Sequence, residues 1–218
     1  MNNKERVLAS VRHRQPDKTP YCITFTRNAH RNMADFYRDP HFDRRLDNCF
    51  VMSPTEPRDA WREVAPDIWE DEFGVRWDRS VDKDIGVVCN CRVTPETLDA
   101  YVFPDPADPS RYENLPSLLA ANPHRCVIAN MGFSLFERAW TLAGMETILM
   151  NMLANPSFVH TFLDRILENN LKIIDRACSF PIDGFRFGDD WGQQTGLIMG
   201  PELWREFIKP RIRQMYQR

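Results

Sequence analysis

Short apolar segments alternate with longer helical segments along this chain, and this alternation is the strongest constraint on its fold. Four segments have the length and composition of buried strands, at 21–25, 49–52, 126–131 and 181–187. Segments of helical periodicity precede and separate them, and a last helix starts near Pro201. Strands that are connected through helices pair in parallel, so the pattern predicts an α/β fold around a parallel sheet.

The segment between the second and third predicted strands is irregular and carries Trp61, Trp69 and Trp77. Its apolar stretches at 73–77 and 86–89 predict an inserted hairpin. No Gly-rich turn follows any of the four strands, which disfavours a dinucleotide-binding sheet. A (β/α)8 barrel typically needs about 250 residues. Four strands with an insertion in 218 residues therefore predict about half of such a barrel, as one domain over 1–218.

The composition excludes several classes of protein. Lys and Arg number 28 and Asp and Glu number 31, so the formal net charge of −3 argues against a nucleic-acid-binding surface. No apolar run reaches the ~18 residues of a membrane span, and residues 1–17 are too charged for a secretory signal. Six cysteines in a chain of this length indicate reduced thiols. We therefore expect a cytoplasmic protein with no nucleic-acid or membrane partner.

Four groups of short motifs occur in order along nearly the whole chain. They lie at 4–9 with 15–20, at 27–31, at 132–135 with 142–144, and at 188–194 with 201–204 and 209–210. Together they resemble the uroporphyrinogen decarboxylase family, which includes the corrinoid methyltransferases of methanogens and acetogens. The last group is the most specific of the four.

The resemblance implies a (β/α)8 barrel (TIM barrel) of which this chain is the N-terminal part, with about four of the eight strands. Half a barrel leaves strand edges unpaired and core side chains open to water. We therefore expect the chain to form a homodimer or to pair with a separate chain that carries the C-terminal half.

Arg27 and Arg31 follow the first predicted strand, at the end where parallel barrels carry their active sites. The resemblance implies that these arginines bind substrate carboxylates, for which the two-pronged guanidinium group is well suited. The alternative is a solvent-exposed helix face on which Arg31 pairs with Asp35, four residues later.

Asp189 and Asp190 follow the fourth predicted strand at the same end, and they are the candidate catalytic residues. Two adjacent carboxylates in a confined site raise each other's pKa, so one of them can stay protonated or bind a cation. Trp191 comes next and is a candidate wall of the substrate pocket. The alternative is a structural cap that the aspartates form near Gly188.

Two positions depart from the decarboxylase pattern. The second predicted strand ends near Ser53, where the resemblance implies an aspartate, and a serine cannot stabilise a protonated pyrrole ring. Glu56 is an alternative source of that charge. Alignment of Gly132 and Gly144 with glycines of the family places Trp140 where the decarboxylase has a tyrosine, which makes Trp140 a candidate substrate-binding residue. Both departures argue against porphyrinogen decarboxylation.

The methyltransferase branch binds zinc through a His-x-Cys pair and a further cysteine on later strands. We therefore expect no cofactor within this chain, and zinc only if a C-terminal half is present. Cys89, Cys91, His124 and Cys126 offer four N/S ligands, the number that tetrahedral zinc requires. Their spacing, and the position of His124 and Cys126 at the start of a strand, favour buried structural thiols instead.

The main functional hypothesis is an enzyme similar to uroporphyrinogen decarboxylase. It would bind a polycarboxylate such as a tetrapyrrole, or a corrinoid-linked substrate, with Arg27, Arg31 and Asp189. One alternative is a relative of the cobamide-dependent methyltransferases, whose small-molecule partner is a methyl donor. Another is a catalytically inactive fragment that acts as an assembly subunit.

Overall fold

The computed structural model describes all residues from Met1 to Arg218 and shows a mixed α/β fold. The helices are α1 (Asn3–Val11), α2 (Arg27–Tyr37), α3 (Leu115–Ala121), α4 (Phe136–Ala143), α5 (Met145–Ala154), α6 (Pro156–Cys178), α7 (Gly200–Leu203) and α8 (Lys209–Tyr216). The strands are β1 (Phe50–Pro54), β2 (Trp61–Ala65), β3 (Ile68–Asp71), β4 (Arg76–Asp78), β5 (Val87–Val88), β6 (Cys126–Met131), β7 (Gly184–Phe187), β8 (Gly192–Gln193) and β9 (Gly196–Leu197). No helix is long and apolar enough to cross a membrane.

The centre of the fold is a parallel sheet in the order β1-β6-β7. Strand β6 lies in the middle, and its side chains Val127 and Ala129 are almost completely buried, as is Cys126. A central strand covered on both faces needs a continuous apolar run, which is what the sequence provides there. The predicted strands at 49–52, 126–131 and 181–187 are thus confirmed, with small shifts of their ends.

The prediction of a fourth parallel strand at 21–25 is wrong. This segment runs extended beside the start of β1, and the Cys49 N–H donates to the Tyr21 carbonyl over 2.9 Å. The next two hydrogen bonds of this segment go to a side chain. The Asn48 amide accepts from the Ile23 N–H (2.8 Å) and donates to the Ile23 carbonyl (3.0 Å). The Asn48 side chain therefore replaces a strand ladder, and the parallel sheet has three strands. The outer edge of β7 has no partner strand.

Helices α4, α5 and α6 carry most of the main hydrophobic core. The predicted helix breaks at Gly144 and near Asn155 are confirmed. Gly144 has a φ of +93°, a conformation that residues with a Cβ atom disfavour, and it separates α4 from α5. The Asn155 side chain accepts a hydrogen bond from the Phe158 N–H and caps α6, where Pro156 is the first residue. These breaks fold one long apolar segment into three packed helices.

The insertion between β1 and β6 is larger than the predicted hairpin, because it forms a four-stranded antiparallel sheet in the order β2-β3-β4-β5. Trp77 on β4 is only 1% exposed and packs into the main core. The ring centroids of Trp77 and Phe133 lie 5.1 Å apart, and Phe133 follows the central strand β6. The insertion is therefore packed against the end of the parallel sheet.

Two buried ion pairs join the insertion to the rest of the fold. The Arg138 Nη1 atom on α4 lies 2.9 Å from the Asp71 carboxylate on β3, and both side chains are less than a tenth exposed. The other Asp71 oxygen accepts hydrogen bonds from the N–H groups of Phe73 and Val75. Arg111 pairs with Glu72 and also donates to the Thr55 carbonyl at the end of β1.

Replacing Arg138 with leucine should destabilise the fold by about 3–5 kcal/mol, because it leaves the Asp71 carboxylate buried without its counter-charge. The matched control is Arg62→Leu, since Arg62 is exposed and pairs with Glu70, which keeps a second arginine partner in Arg76. The control should change the free energy of unfolding by about 1 kcal/mol or less. Urea unfolding measures both, and equal losses would contradict the role of the buried pair.

Candidate functional site

The C-terminal ends of β1, β6 and β7 meet at one edge of the parallel sheet. The Thr55 N–H donates to the Asn130 carbonyl (3.0 Å), and the Gly188 N–H donates to the Met131 carbonyl (2.8 Å). The Ser134 N–H in turn donates to the Gly188 carbonyl over 2.9 Å. Backbone hydrogen bonds thus hold the three strand-end loops together at the edge where α/β folds place their ligands.

The space directly over these strand ends is nearly filled by side chains. The cavity there has a volume of about 20 Å³ and is lined by groups that include Thr55, Phe73, Arg111, Phe133 and Arg138. Such a volume holds about one water molecule. This cavity is therefore too small for an organic ligand.

An open pocket of about 470 Å³ lies next to these strand ends, between the insertion and α4. We call it the aromatic pocket. Its lining residues are Trp77, Ile85, Gly86, Val87, Val88, Asn90, Phe133, Glu137, Trp140, Gly144 and Met145. Phe133 has a φ of +47°, a left-handed conformation that costs about 1–2 kcal/mol for a residue with a Cβ atom. The surrounding structure therefore holds Phe133 in a strained conformation at this pocket.

Glu137 is the one charged residue that lines the aromatic pocket. It forms no ion pair, although it is about half-buried. Burial and the nearby charges of Asp189 and Asp190 raise its pKa from 4.5 to about 7. A carboxyl group with this pKa exchanges protons near neutral pH, as a general acid or base must.

Asp189 fixes the position of Glu137. Its carboxylate oxygens accept hydrogen bonds from the backbone N–H groups of Leu135 (3.2 Å), Phe136 (3.1 Å) and Glu137 (2.8 Å) at the start of α4. The Trp191 indole Nε1 also donates to Asp189, over 2.5 Å. Asp189 thus satisfies N–H groups that have no partner within the helix. Burial nevertheless raises the pKa of Asp189, against the effect of these hydrogen bonds.

The two predicted arginines lie on α2, and Arg27 contacts the insertion. The backbone N–H of Arg27 donates to Asp84 (3.0 Å), and its guanidinium group lies 3.9 Å from the same carboxylate and is 64% exposed. Asp84 precedes Ile85, which lines the aromatic pocket. Arg31 is exposed and pairs with no carboxylate, so the predicted pair with Asp35 does not form. The role of both arginines in anion binding stays a prediction.

The other predicted site residues lie close to Glu137. Trp140 is half-buried one helical turn beyond it and lines the same pocket. Trp191 packs against Trp204, with 5.6 Å between ring centroids, and is held by Asp189. Asp190 is exposed. The predicted catalytic roles of Asp189 and Asp190 stay predictions, and the contacts of Asp189 match the structural cap considered as its alternative.

A larger cavity, of about 690 Å³, lies on the insertion and the loop at 92–102. It is lined by several charged residues, and two of them, Arg62 and Glu70, pair with each other. Its lining includes Asp59 and Ala60 from the loop after β1, but no residue of the loops after β6 and β7. We therefore consider the aromatic pocket, and not the larger cavity, the candidate functional site.

The residues considered as zinc ligands do not come together. No group of three or more His, Cys, Asp or Glu side chains is close enough to hold a metal ion. His124 contacts the Asn2 side chain at the start of α1, and Cys126 packs beside Cys49. Cys91 contacts the Val93 and Ala143 carbonyls instead. Cys126 is buried as expected, whereas Cys89 and Cys91 are exposed, so the prediction of buried thiols is wrong for these two.

Comparison with solved structures supports the fold. A methyltransferase from Methanosarcina mazei is similar to this chain with a TM-score of 0.64 and 15% sequence identity, and the match covers the whole of this chain and 67% of the methyltransferase. No protein-family model matches the sequence, and no curated protein matches it either. At this identity, the likeness concerns the fold alone.

Sequence reasoning missed the two charged residues of α4 on which the site depends. Glu137 and Arg138 lie between Phe136 and Ala139, in a helix that is otherwise almost entirely apolar. Charged residues at the start of a buried helix that follows a parallel strand are a signal that could have identified them. Their partners, Asp71 and Asp189, are too distant in sequence to be paired by spacing.

Replacing Asp189 with asparagine should destabilise the protein by about 1–3 kcal/mol, because each carboxylate oxygen accepts two hydrogen bonds and the new NH₂ group leaves two N–H donors unpaired. The exposed neighbour Asp190 supplies the control, and Asp190→Asn should stay within about 0.5 kcal/mol. Thermal or urea unfolding at a fixed pH compares the two. An equal effect of both substitutions would show that the cap on α4 is unimportant.

The raised pKa of Glu137 predicts a pH-dependent contribution to stability. Because the folded state holds the proton more tightly, this contribution is complete below about pH 4.5 and is lost as the pH rises through about 7. In Glu137→Gln, which resembles the protonated acid, this loss should disappear. Glu146→Gln, at an exposed position on α5, is the control and should retain the wild-type pH profile. Identical profiles for wild type and Glu137→Gln over this range would refute the prediction.

Proposed function

We propose that this chain is part of a (β/α)8-barrel methyltransferase related to the cobamide-dependent enzymes. The observation that carries the proposal is the likeness to a methyltransferase fold over the full length of the chain. The parallel order β1-β6-β7 and the helices that connect these strands are consistent with the N-terminal strands of such a barrel. The chain spans about two thirds of the length of that methyltransferase, so the activity of the complete assembly belongs to the proposal.

The part we assign to this chain is the binding and orientation of a methyl-bearing substrate. The aromatic pocket lies beside the strand ends and supplies apolar walls, and Glu137 supplies one proton-exchanging group. Asp189 acts as a positioning residue, since it holds the first turn of α4 and with it Glu137. A zinc ion would activate a thiol acceptor in the related enzymes, and we propose that its ligands lie on later strands of the complete barrel.

The decarboxylase hypothesis receives less support. Ser53 on β1 is 5% exposed and is not an acid, and Glu56 accepts a hydrogen bond from the Trp61 indole at 3.1 Å. The two arginines proposed to bind substrate carboxylates are exposed, and Arg27 already faces Asp84. These positions lack the preorganised charge that loss of CO₂ from a pyrrole substrate requires.

The unpaired outer edge of β7 favours a role within a larger assembly. An exposed edge of a parallel sheet is a site for strand addition. We propose that this edge pairs with strands of a C-terminal half or with a second copy of this chain. If the assembled protein has no activity, the same edge supports the alternative function of an inactive assembly subunit.

Titration with methylcobalamin tests the proposed function. The purified chain, alone and with any co-purifying chain that carries further strands, should bind methylcobalamin, and the complete assembly should transfer its methyl group to a thiol when zinc is present. Binding is measured by calorimetry and transfer by the loss of the methylcobalamin absorbance spectrum. Uroporphyrin is the comparison ligand. Binding of uroporphyrin without binding of methylcobalamin would reverse the preference, and a failure of the assembly to bind either would refute the proposal.

A further inference from the structure

The larger cavity on the insertion, of about 690 Å³, has no part in the proposed function. It lies on the insertion and on the loop at 92–102, and it shares no lining residue with the aromatic pocket. A volume of this size accommodates a small organic molecule. The charges of its lining residues therefore decide which class of molecule it can bind.

Most of the negative charge in the lining is already compensated within the protein. Three of the four carboxylates form ion pairs with arginines. The pairs are Glu70 with Arg62 and Arg76, Asp71 with Arg138, and Glu72 with Arg111. Asp59, the fourth, is exposed and lies near the Arg58 guanidinium group. The carboxylates therefore leave little negative charge with which to attract a cation.

The cationic side of the lining is different, because one of its two arginines has no partner. Arg62 is held by Glu70, whereas the Arg92 guanidinium group forms no ion pair and no hydrogen bond within the chain. Arg92 is also exposed, so its N–H donors are free to bind a ligand that enters the cavity. The uncommitted charge of the cavity is thus a positive one.

The backbone at Gly74 gives the Arg92 side chain its position. Gly74 has a φ of +75°, and a Cβ atom at this residue would lie 2.9 Å from the Arg92 Nε atom. The Gly74 N–H donates to the Asp71 carbonyl (2.9 Å), and the Gly74 carbonyl accepts from the Asn90 amide (2.9 Å). The Arg92 N–H donates to the Leu142 carbonyl on α4 over 2.8 Å. The guanidinium group therefore extends from a fixed backbone across a surface that only a glycine leaves open.

We propose that the larger cavity is a second ligand site and binds a small organic anion through the Arg92 guanidinium group. Carboxylates and phosphate esters both offer two oxygens that a guanidinium group binds side by side. Phe73, Tyr101 and Val102 supply apolar contacts for the rest of the ligand. The inference goes beyond the proposed function, because it concerns a different cavity and requires no methyl transfer.

Three small probes of similar length test the charge requirement. Pentanoate carries a carboxylate, butyl phosphate carries a phosphate, and pentanamide is the uncharged counterpart of pentanoate. In titrations of the purified chain followed by NMR at pH 7, we expect at least one anion to bind at least about tenfold more tightly than pentanamide. The more tightly bound anion identifies the anionic group that the site prefers. Equal affinity for all three probes, or no binding of either anion, would overturn the proposal.

Four variants locate the interaction within the protein. Arg92→Gln should lose the preference for anions, whereas Arg92→Lys keeps the charge without the two-pronged geometry and should retain a weaker preference. Gly74→Ala should weaken anion binding severalfold, because the new methyl group displaces the guanidinium group. Arg213→Gln removes the same charge from an exposed position on α8, outside the lining, and should bind the anions as the wild type does.

Thermal unfolding of each variant establishes that it is folded, and Arg92→Gln alone decides the question if Gly74→Ala does not fold. Equal losses of anion binding in Arg92→Gln and Arg213→Gln would show that the effect is one of overall charge. Undiminished anion binding by Arg92→Gln would place the ligand elsewhere on the protein. Either result would refute the assignment to this cavity. The measurements involve no methylcobalamin, so their outcome is independent of the proposed function.

Discussion

The buried ion pair between Asp71 and Arg138 is the interaction on which the arrangement of the site depends. It joins β3 of the insertion to α4, which directly follows the loop after the central strand of the parallel sheet. The guanidinium group also lies 3.8 Å from the centre of the Phe73 ring. Because unpaired burial of either charge is costly, the insertion is held at one distance from α4. The aromatic pocket is the space that this distance leaves.

Helix α4 carries two neighbouring charged residues, Glu137 and Arg138, with different roles. Arg138 forms an ion pair with Asp71 and has a structural role, whereas burial and two nearby carboxylates disfavour the ionisation of Glu137. After burial, Asp189 contributes most to this difference, since it accepts a hydrogen bond from the N–H of Glu137 and repels its carboxylate. One residue therefore both orients a neighbouring acid and adjusts the pH at which that acid loses its proton.

The sequence predicts the parts of this fold that depend on local pattern. The apolar run at 126–131 and the breaks at Gly144 and Asn155 are local signals, and the structure agrees with them. The segment at 21–25 has strand composition, but the Asn48 amide occupies the backbone groups of Ile23 through which this segment would pair with β1. The placement of Trp140 beside Glu137 depends on a helix start that is capped by a residue more than fifty positions away. Long-range contacts of this kind cannot be read from spacing in one sequence.

The Asn48 amide also distinguishes the two borders of the parallel sheet. At the β1 side, it occupies both backbone groups of Ile23 that would otherwise pair with β1, so segment 21–25 is held there by a side chain. At the β7 side, the sheet ends in a regular strand that has no partner strand. The two borders therefore offer unlike templates to an incoming strand, and only the β7 border presents the edge of a regular strand.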